Sequence, residues 1–187
     1  MTEIEIVGAV VGLAYLWLEY RASIWLWLAG VVMSLLYVYI FFEGKVYAMM
    51  CIQVYYLFAS IYGWFRWRKD ESIAGEEVRI RSFPSDRWML PAGVFVALFG
   101  LTAWILSAFT DSPVPVGDAF TTALSVVAMY LLAHKYVEQW LLWIVVNAVS
   151  AALYFYLGLY PTGALYGVYA AVSIAGFFRW KKIMQET

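Results

Sequence analysis

Seven apolar runs separated by short polar or glycine-containing stretches organise this chain: Ile4–Tyr20, Ala22–Phe42, Val46–Phe65, Trp88–Phe109, Ala119–Tyr136, Gln139–Leu157 and Tyr160–Phe178. A helix that crosses a bilayer needs roughly 17–25 mostly apolar residues. The runs therefore predict seven transmembrane helices, the first and fifth near the short limit. Most connections are a few residues long. The exception is Arg66–Arg87, "RWRKDESIAGEEVRIRSFPSDR", whose mixed charges mark a solvated linker that hydrocarbon would not hold. Met1–Glu5 lacks the basic start of a signal peptide, so the first apolar run is read as structure.

Composition strengthens this reading. Of 187 residues, 65% are hydrophobic, 20% aromatic and only 13% charged, against roughly 25% charged in a soluble domain. No single small core could hide so much apolar surface, which makes the lipid bilayer part of the solvent and the fold class all-α integral membrane. A net charge of −1 gives nucleic acid nothing to bind. Cys51 is the single cysteine, so neither an internal disulfide nor a cysteine-based metal site is available. His134 is the single histidine, no paired carboxylates lie inside the apolar runs, and no nucleotide-binding or hydrolase motif is present. The chain reads as neither an enzyme nor a pump, with no cofactor and no metal.

The basic residues set an orientation. Arg21, Arg66, Arg68, Lys69, Arg79, Arg81, Arg87, Lys135, Arg179, Lys181 and Lys182 fall on one side of the predicted spans, and Lys45 alone on the other. Positive charge is retained in the cytoplasm. This predicts a multi-pass protein of the bacterial inner membrane with an external N-terminus and a cytoplasmic C-terminus.

The chain also repeats itself. Shifted by 113 residues, 47–69 lies on 160–182 with nine identities, among them Tyr56/Tyr169, Ser60/Ser173, Gly63/Gly176, Arg66/Arg179 and Trp67/Trp180. "LYVY" (36–39) resembles "LYFY" (153–156), with a small gap between. Both copies carry their basic end on the same side, so the repeats are parallel, and only an odd linker helix between two triplets achieves that. The expected organisation is one membrane domain: repeat one at 4–67, linker loop and fourth helix at 68–110, repeat two at 118–180. Parallel repeats of this kind build the SWEET transporters, with substrate near the midplane.

Polar groups on these helices fall on single faces. Trp140, Trp143, Asn147 and Tyr154 follow one another at steps of three, four and seven, one face of the sixth helix. Gln53, Tyr56 and Ser60 share a face of the third, and Tyr166, Tyr169 and Ser173 hold the corresponding positions on the seventh. Polar side chains at membrane depth face a bundle interior or a water-filled path. Packing competes with this reading. Ser60, Ser173, Gly63 and Gly176 suit close helix approach, one Asn can join two helices, and Trp140 sits where an interfacial belt would form. Asn147, near mid-helix, is beyond the reach of a belt. Trp and Tyr faces suit flat or cationic rings, and amides and hydroxyls suit hydroxyl or amide groups. No acid or base lies deep in any helix, so a phosphate ester finds no cation there.

"KYVEQWLLWIVVN" (135–147), with its E-x-W-x-x-W-x-x-x-N pattern, and "YAMMCIQVYYLFASIYGWFRW" (47–67) resemble the Pnu family of bacterial vitamin transporters over nearly the whole chain. The resemblance implies a three-plus-one-plus-three fold, often a homotrimer. It implies facilitated diffusion of nicotinamide riboside, alternatively thiamine or riboflavin, with trapping by cytosolic phosphorylation. By motif match Trp140, Trp143, Asn147 and Gln53 become substrate-binding candidates, and the repeat adds Tyr56, Tyr166 and Tyr169. Two features depart from the riboside-transporting pattern. An extra N-terminal helix found in some members is missing, which points toward the branch with thiamine transporters. Gln139 also stands where Asn is expected.

Overall fold

Backbone groups cannot be left unpaired in hydrocarbon, so segments that cross it must close their hydrogen bonds internally, as helices do. The computed structural model describes residues 3–43, 47–74 and 80–186. They form seven α-helices: α1 Glu3–Tyr20, α2 Trp25–Glu43, α3 Tyr47–Ala74, α4 Met89–Phe109, α5 Pro115–Ala133, α6 Gln139–Tyr156 and α7 Tyr160–Glu186. A 3₁₀ turn, Ser85–Arg87, precedes α4. Among the described residues, the segment containing α4 and helices α5, α6 and α7 are each long and apolar enough to cross a membrane, while apolar stretches Val10–Tyr20 and Trp25–Tyr39 are shorter. Lys45 and Arg79, used above for orientation, lie outside the described residues.

Two helices outrun their apolar runs. Helix α3 continues through Arg66, Arg68 and Lys69 to Ala74, and α7 through Lys181 and Lys182 to Glu186. The linker therefore begins as helix, not loop. Arg, Lys and Glu are good helix formers, so the backbone has no reason to stop where apolarity stops. Helix α5 starts earlier than its apolar run, at Pro115, where a fixed φ and a missing N–H do no harm in the first turn.

The chain divides into two compact units, one up to Arg79 and one over Ile80–Glu186. In the first, α1 packs on α2 and α2 on α3. In the second, α4 packs on α5, α5 on α6 and α6 on α7. The 113-residue repeat reappears inside both. The turn after α1 holds Ala22 at φ +51°, and the turn after α5 holds Lys135 at φ +58°. At the first turn, N–H groups of Ala22 and Ser23 donate to the carbonyls of Glu19 and Leu18. At the second, those of Lys135 and Tyr136 donate to Leu132 and Leu131. This is the left-handed helix stop usually given to glycine. Keeping it on a side chain costs about 1–2 kcal/mol, and both units do so.

The same offset governs the packing. Trp27 and Trp67 are fully buried, with ring centroids 5.6 Å apart at 85°. Trp140 and Trp180 are fully buried at 5.8 Å and 87°. Each leading indole fills the notch of a glycine on the next helix. A Cβ on Gly63 would lie 2.5 Å from Trp27 ring atoms, and one on Gly176 would lie 2.7 Å from those of Trp140. The shared register runs without a gap from the first turn through these seams, so the "LYVY"/"LYFY" resemblance is out of step with the structural repeat.

Gly63→Ala and Gly176→Ala should each lower stability. Overpacking costs about 1–3 kcal/mol, offset by about 1 kcal/mol of helix propensity. Gly167→Ala on α7, where a Cβ meets nothing within 4 Å, should raise stability slightly. Thermal melts in one detergent check the opposite signs; equal behaviour of the three variants would refute the notch.

Candidate substrate-binding site

The polar face of α6 lies in the second unit, and its neighbour α7 supplies the facing residues. From the Gln139 end, Trp140 is sealed against Gly176 and Trp180 with no exposed surface. One turn on, Trp143 is half-buried, and its Nε1 is buried with no hydrogen-bond partner among the described residues. Next, Asn147 Nδ2 donates to Ser173 Oγ across the helix pair at 3.2 Å, and Ser173 in turn donates to the Tyr169 carbonyl at 2.8 Å. Ser150 is buried on the same face. At the far end Tyr154 meets Tyr166, centroids 5.1 Å apart, and Tyr166 meets Tyr169 at 5.5 Å.

The structure thus gathers Trp143, Asn147, Tyr166 and Tyr169 along one α6–α7 seam. Trp140 sits in that seam too, but its ring is already enclosed by protein. Gln53 and Tyr56 belong to the first unit, both half-buried on α3, with Tyr56 against Tyr55 at 5.6 Å. Asn147 has a structural partner in Ser173. One amide hydrogen and the carbonyl oxygen remain for other work, since an amide offers two donors and an acceptor.

Gln139 is the residue that the sequence flagged only as a departure. It is fully buried, and among the described residues neither its Nε2 nor its Oε1 has a hydrogen-bond partner. It precedes Trp143 by four residues and Asn147 by eight, so it extends the same stripe by one turn. That spacing was the available signal. An unpaired buried amide costs about 1–3 kcal/mol, so Gln139 brings donors and an acceptor to this end of α6 that no described residue meets.

The two units differ at the candidate site. Counterparts of Trp143 and Asn147, 113 residues earlier, are Gly30 and Ser34. A Cβ on Gly30 would stand 2.5 Å from Ser60 Oγ, so α2 and α3 touch where the second unit carries an indole. Among the described residues no group of three His, Cys, Asp or Glu could hold a metal.

The family described as nicotinamide mononucleotide transporter matches residues 2–182. The chain belongs to this family, the Pnu transporters. It is similar to the nicotinamide riboside transporter PnuC of Escherichia coli K12, 29% identical over 207 residues covering 98% of this chain and 87% of the relative. It is also similar to the riboflavin/roseoflavin transporter RibM of Streptomyces davaonensis, 28% identical over 183 residues covering 94% and 83%. The crystal structure of the vitamin B3 transporter PnuC matches with a TM-score of 0.75 at 27% identity, covering 96% of this chain and 81% of that one. Pnu proteins are transporters, not enzymes, and this member is a multi-pass inner-membrane protein.

Ser173→Ala removes the acceptor for Asn147. It should cost about 0.6 kcal/mol, the average worth of an interhelical hydrogen bond in a membrane bundle. Melting temperature should fall by no more than a few degrees. A collapse of the fold would mean that this bond holds α6 to α7 far more strongly than the seam around Trp140.

Proposed function

We propose that this Pnu-family chain carries nicotinamide riboside into the cell by facilitated diffusion, and that phosphorylation in the cytosol then traps it. One observation carries the reading: the α6–α7 seam presents indole, amide and phenol groups with no Lys, Arg, Asp or Glu between Gln139 and Phe178. A cationic aromatic ring bearing a ribose suits such a lining. A nucleotide's phosphate would be buried there without a counter-charge, which is costly. No carboxylate lies in the seam to relay protons. The riboside-transporting relatives support the same choice, and they favour it over thiamine.

Trp143 would offer its face to the ring and Asn147 its spare amide atoms to the ring's substituent. Tyr166 and Tyr169 would border the ribose, and Gln53 and Tyr56 remain candidates by motif and repeat. Trp140, enclosed by α7, would act by holding the stripe in place. Riboflavin is the second reading, favoured by the likeness to RibM. Its fused rings and ribityl hydroxyls ask for the same chemistry over a larger area. The finer architecture belongs to this proposal as well: seven spans, with repeat one at 4–67 and repeat two at 118–180 in parallel around a linker helix, assembled as a homo-oligomer.

Trp143→Ala should remove a cation–π surface worth roughly 1–2 kcal/mol when desolvated, weakening nicotinamide riboside binding about five- to thirty-fold. Asn147→Leu should weaken it too, with a stability change no larger than that of Ser173→Ala. Calorimetry against nicotinamide riboside, its 5′-phosphate, riboflavin and thiamine checks both the residues and the substrate. Unchanged affinity in both variants would remove α6 from the site. In proteoliposomes, uptake should end at equal concentrations inside and out; accumulation driven by a proton or sodium gradient would rule out facilitated diffusion.

Orientation has its own test. Eleven of the twelve basic residues fall on one side of the predicted spans, so a tag after Thr187 should resist protease in intact cells and one before Met1 should be cut. The reverse pattern would overturn the topology.

A further inference from the structure

Glu138 opens the E-x-W-x-x-W-x-x-x-N pattern, and its side chain bonds to Ser82 and Phe83. Glu138 occupies the N-cap position of α6, yet its side chain makes no cap hydrogen bond to its own helix. The carboxylate points instead to the segment leading into α4. Phe83 N–H donates to Oε2 at 2.8 Å, and the Ser82 hydroxyl donates to Oε1. Two backbone bonds flank this contact: Arg81 N–H donates to the Lys135 carbonyl and Val137 N–H to the Arg81 carbonyl, each at 2.9 Å. The resulting parallel bridge joins Arg81 to Tyr136. Aromatic rings close it from the side, with Phe83 edge-on to Tyr136 at 5.0 Å and to Trp88 at 4.9 Å. Ile80 and Val137 are buried beside it.

Four hydrogen bonds thus tie three consecutive residues, Arg81, Ser82 and Phe83, to the turn between α5 and α6. A charged acceptor makes its bonds the stronger kind. In the first unit the position equivalent to Glu138 is Trp25, which is exposed. The arrangement is therefore an addition to the shared scaffold, not part of what the repeat copies.

We propose that Glu138 is a positioning residue that latches the start of α4 to the α5–α6 turn, so that α4 and this turn move as one body throughout transport. The proposal rests on the transport reading above. It assigns the signature Glu to mechanics and leaves substrate contact to residues deeper in α6. The chemistry is specific. A glutamine can still accept from Phe83 N–H through its oxygen and donate to Ser82 Oγ through its amide, so Glu138→Gln should keep the latch. Glu138→Ala loses both bonds.

The test uses full-length protein in proteoliposomes with nicotinamide riboside. Arg81→Cys/Tyr136→Cys, in a Cys51→Ser background, places thiols on the two bridged residues, whose close pairing suits a disulfide. Oxidation should form the bond and leave the initial uptake rate within about two-fold of the reduced protein, a change far below the tenfold that 1.4 kcal/mol would produce. If oxidation stops uptake and a reductant restores it, the latch must open in each cycle and the proposal fails. It fails also if no disulfide forms. Glu138→Ala should speed tryptic cleavage after Arg81 and Arg87 by about ten-fold, since cleavage tracks local opening. Its maximal uptake rate per folded protein should fall with riboside affinity unchanged, and Glu138→Gln should restore both. An alanine variant with faster cleavage but undiminished uptake would reduce Glu138 to a structural tie and overturn the positioning role. Absence of riboside uptake by the unmodified protein would instead refute the transport reading, an outcome distinct from all of these.

Discussion

An indole pressed into a glycine notch is the contact on which both halves of this protein depend. Lipid tails are as apolar as leucine, so no hydrophobic force sorts one membrane helix against another. Close packing must do it. Trp27 in the notch of Gly63 and Trp140 in that of Gly176 leave no space for even a methyl group. The second indole of each pair, Trp67 or Trp180, closes the other side edge-on, a geometry worth about 0.5–1.5 kcal/mol beyond the area it buries. Such a contact admits one register and one depth. Once α6 is seated on α7 in this way, the positions of Asn147 against Ser173 and Tyr154 against Tyr166 follow.

The two units share this frame and use it differently. Each has the same left-handed turn, at Ala22 after α1 and at Lys135 after α5, and the same indole seam. One turn above the seam they part. Gly30 brings α2 into contact with Ser60 on α3, whereas Trp143 and Asn147 stand at the equivalent places on α6. A repeat under one packing constraint can vary only where that constraint is slack. Here the slack lies on the helix face next to the seam, where the aromatic and amide groups collect.

Polar groups inside these helices follow a consistent economy. Hydroxyls bond back to their own helices, as Thr121 does to Gly117 and Ser125 to Thr121. Asn147 bonds across to α7. Among the described residues, Gln139 and the indole nitrogens of Trp140 and Trp143 have no hydrogen-bond partner. Full satisfaction would make a rigid bundle, and charged groups would make a proton or ion path. A few uncharged, unspent donors are what a carrier of a polar, ring-bearing vitamin can use without binding it too tightly to release.

Much of this was legible in the chain. Apolar runs gave the number and approximate ends of the helices, because hydrocarbon thickness fixes how long an apolar run must be. The 113-residue period marked the paired turns and indole seams that recur in both units, and helical spacing placed Trp143, Asn147 and Tyr154 on one face, since 3.6 residues per turn is a property of the backbone alone. Periodicity tells which face a side chain takes but not what covers it. Only the tertiary structure showed that Trp140 is enclosed by Gly176 and Trp180, that Asn147 is shared with Ser173, and that Gln139 is buried without a partner among the described residues. The helical extensions past Arg66 and Phe178 were also hidden, because hydropathy ends at the membrane while helix propensity does not. Glu138 is the clearest case: its partners lie 55 and 56 residues away in sequence, and no local rule brings Ser82 and Phe83 to the turn before α6.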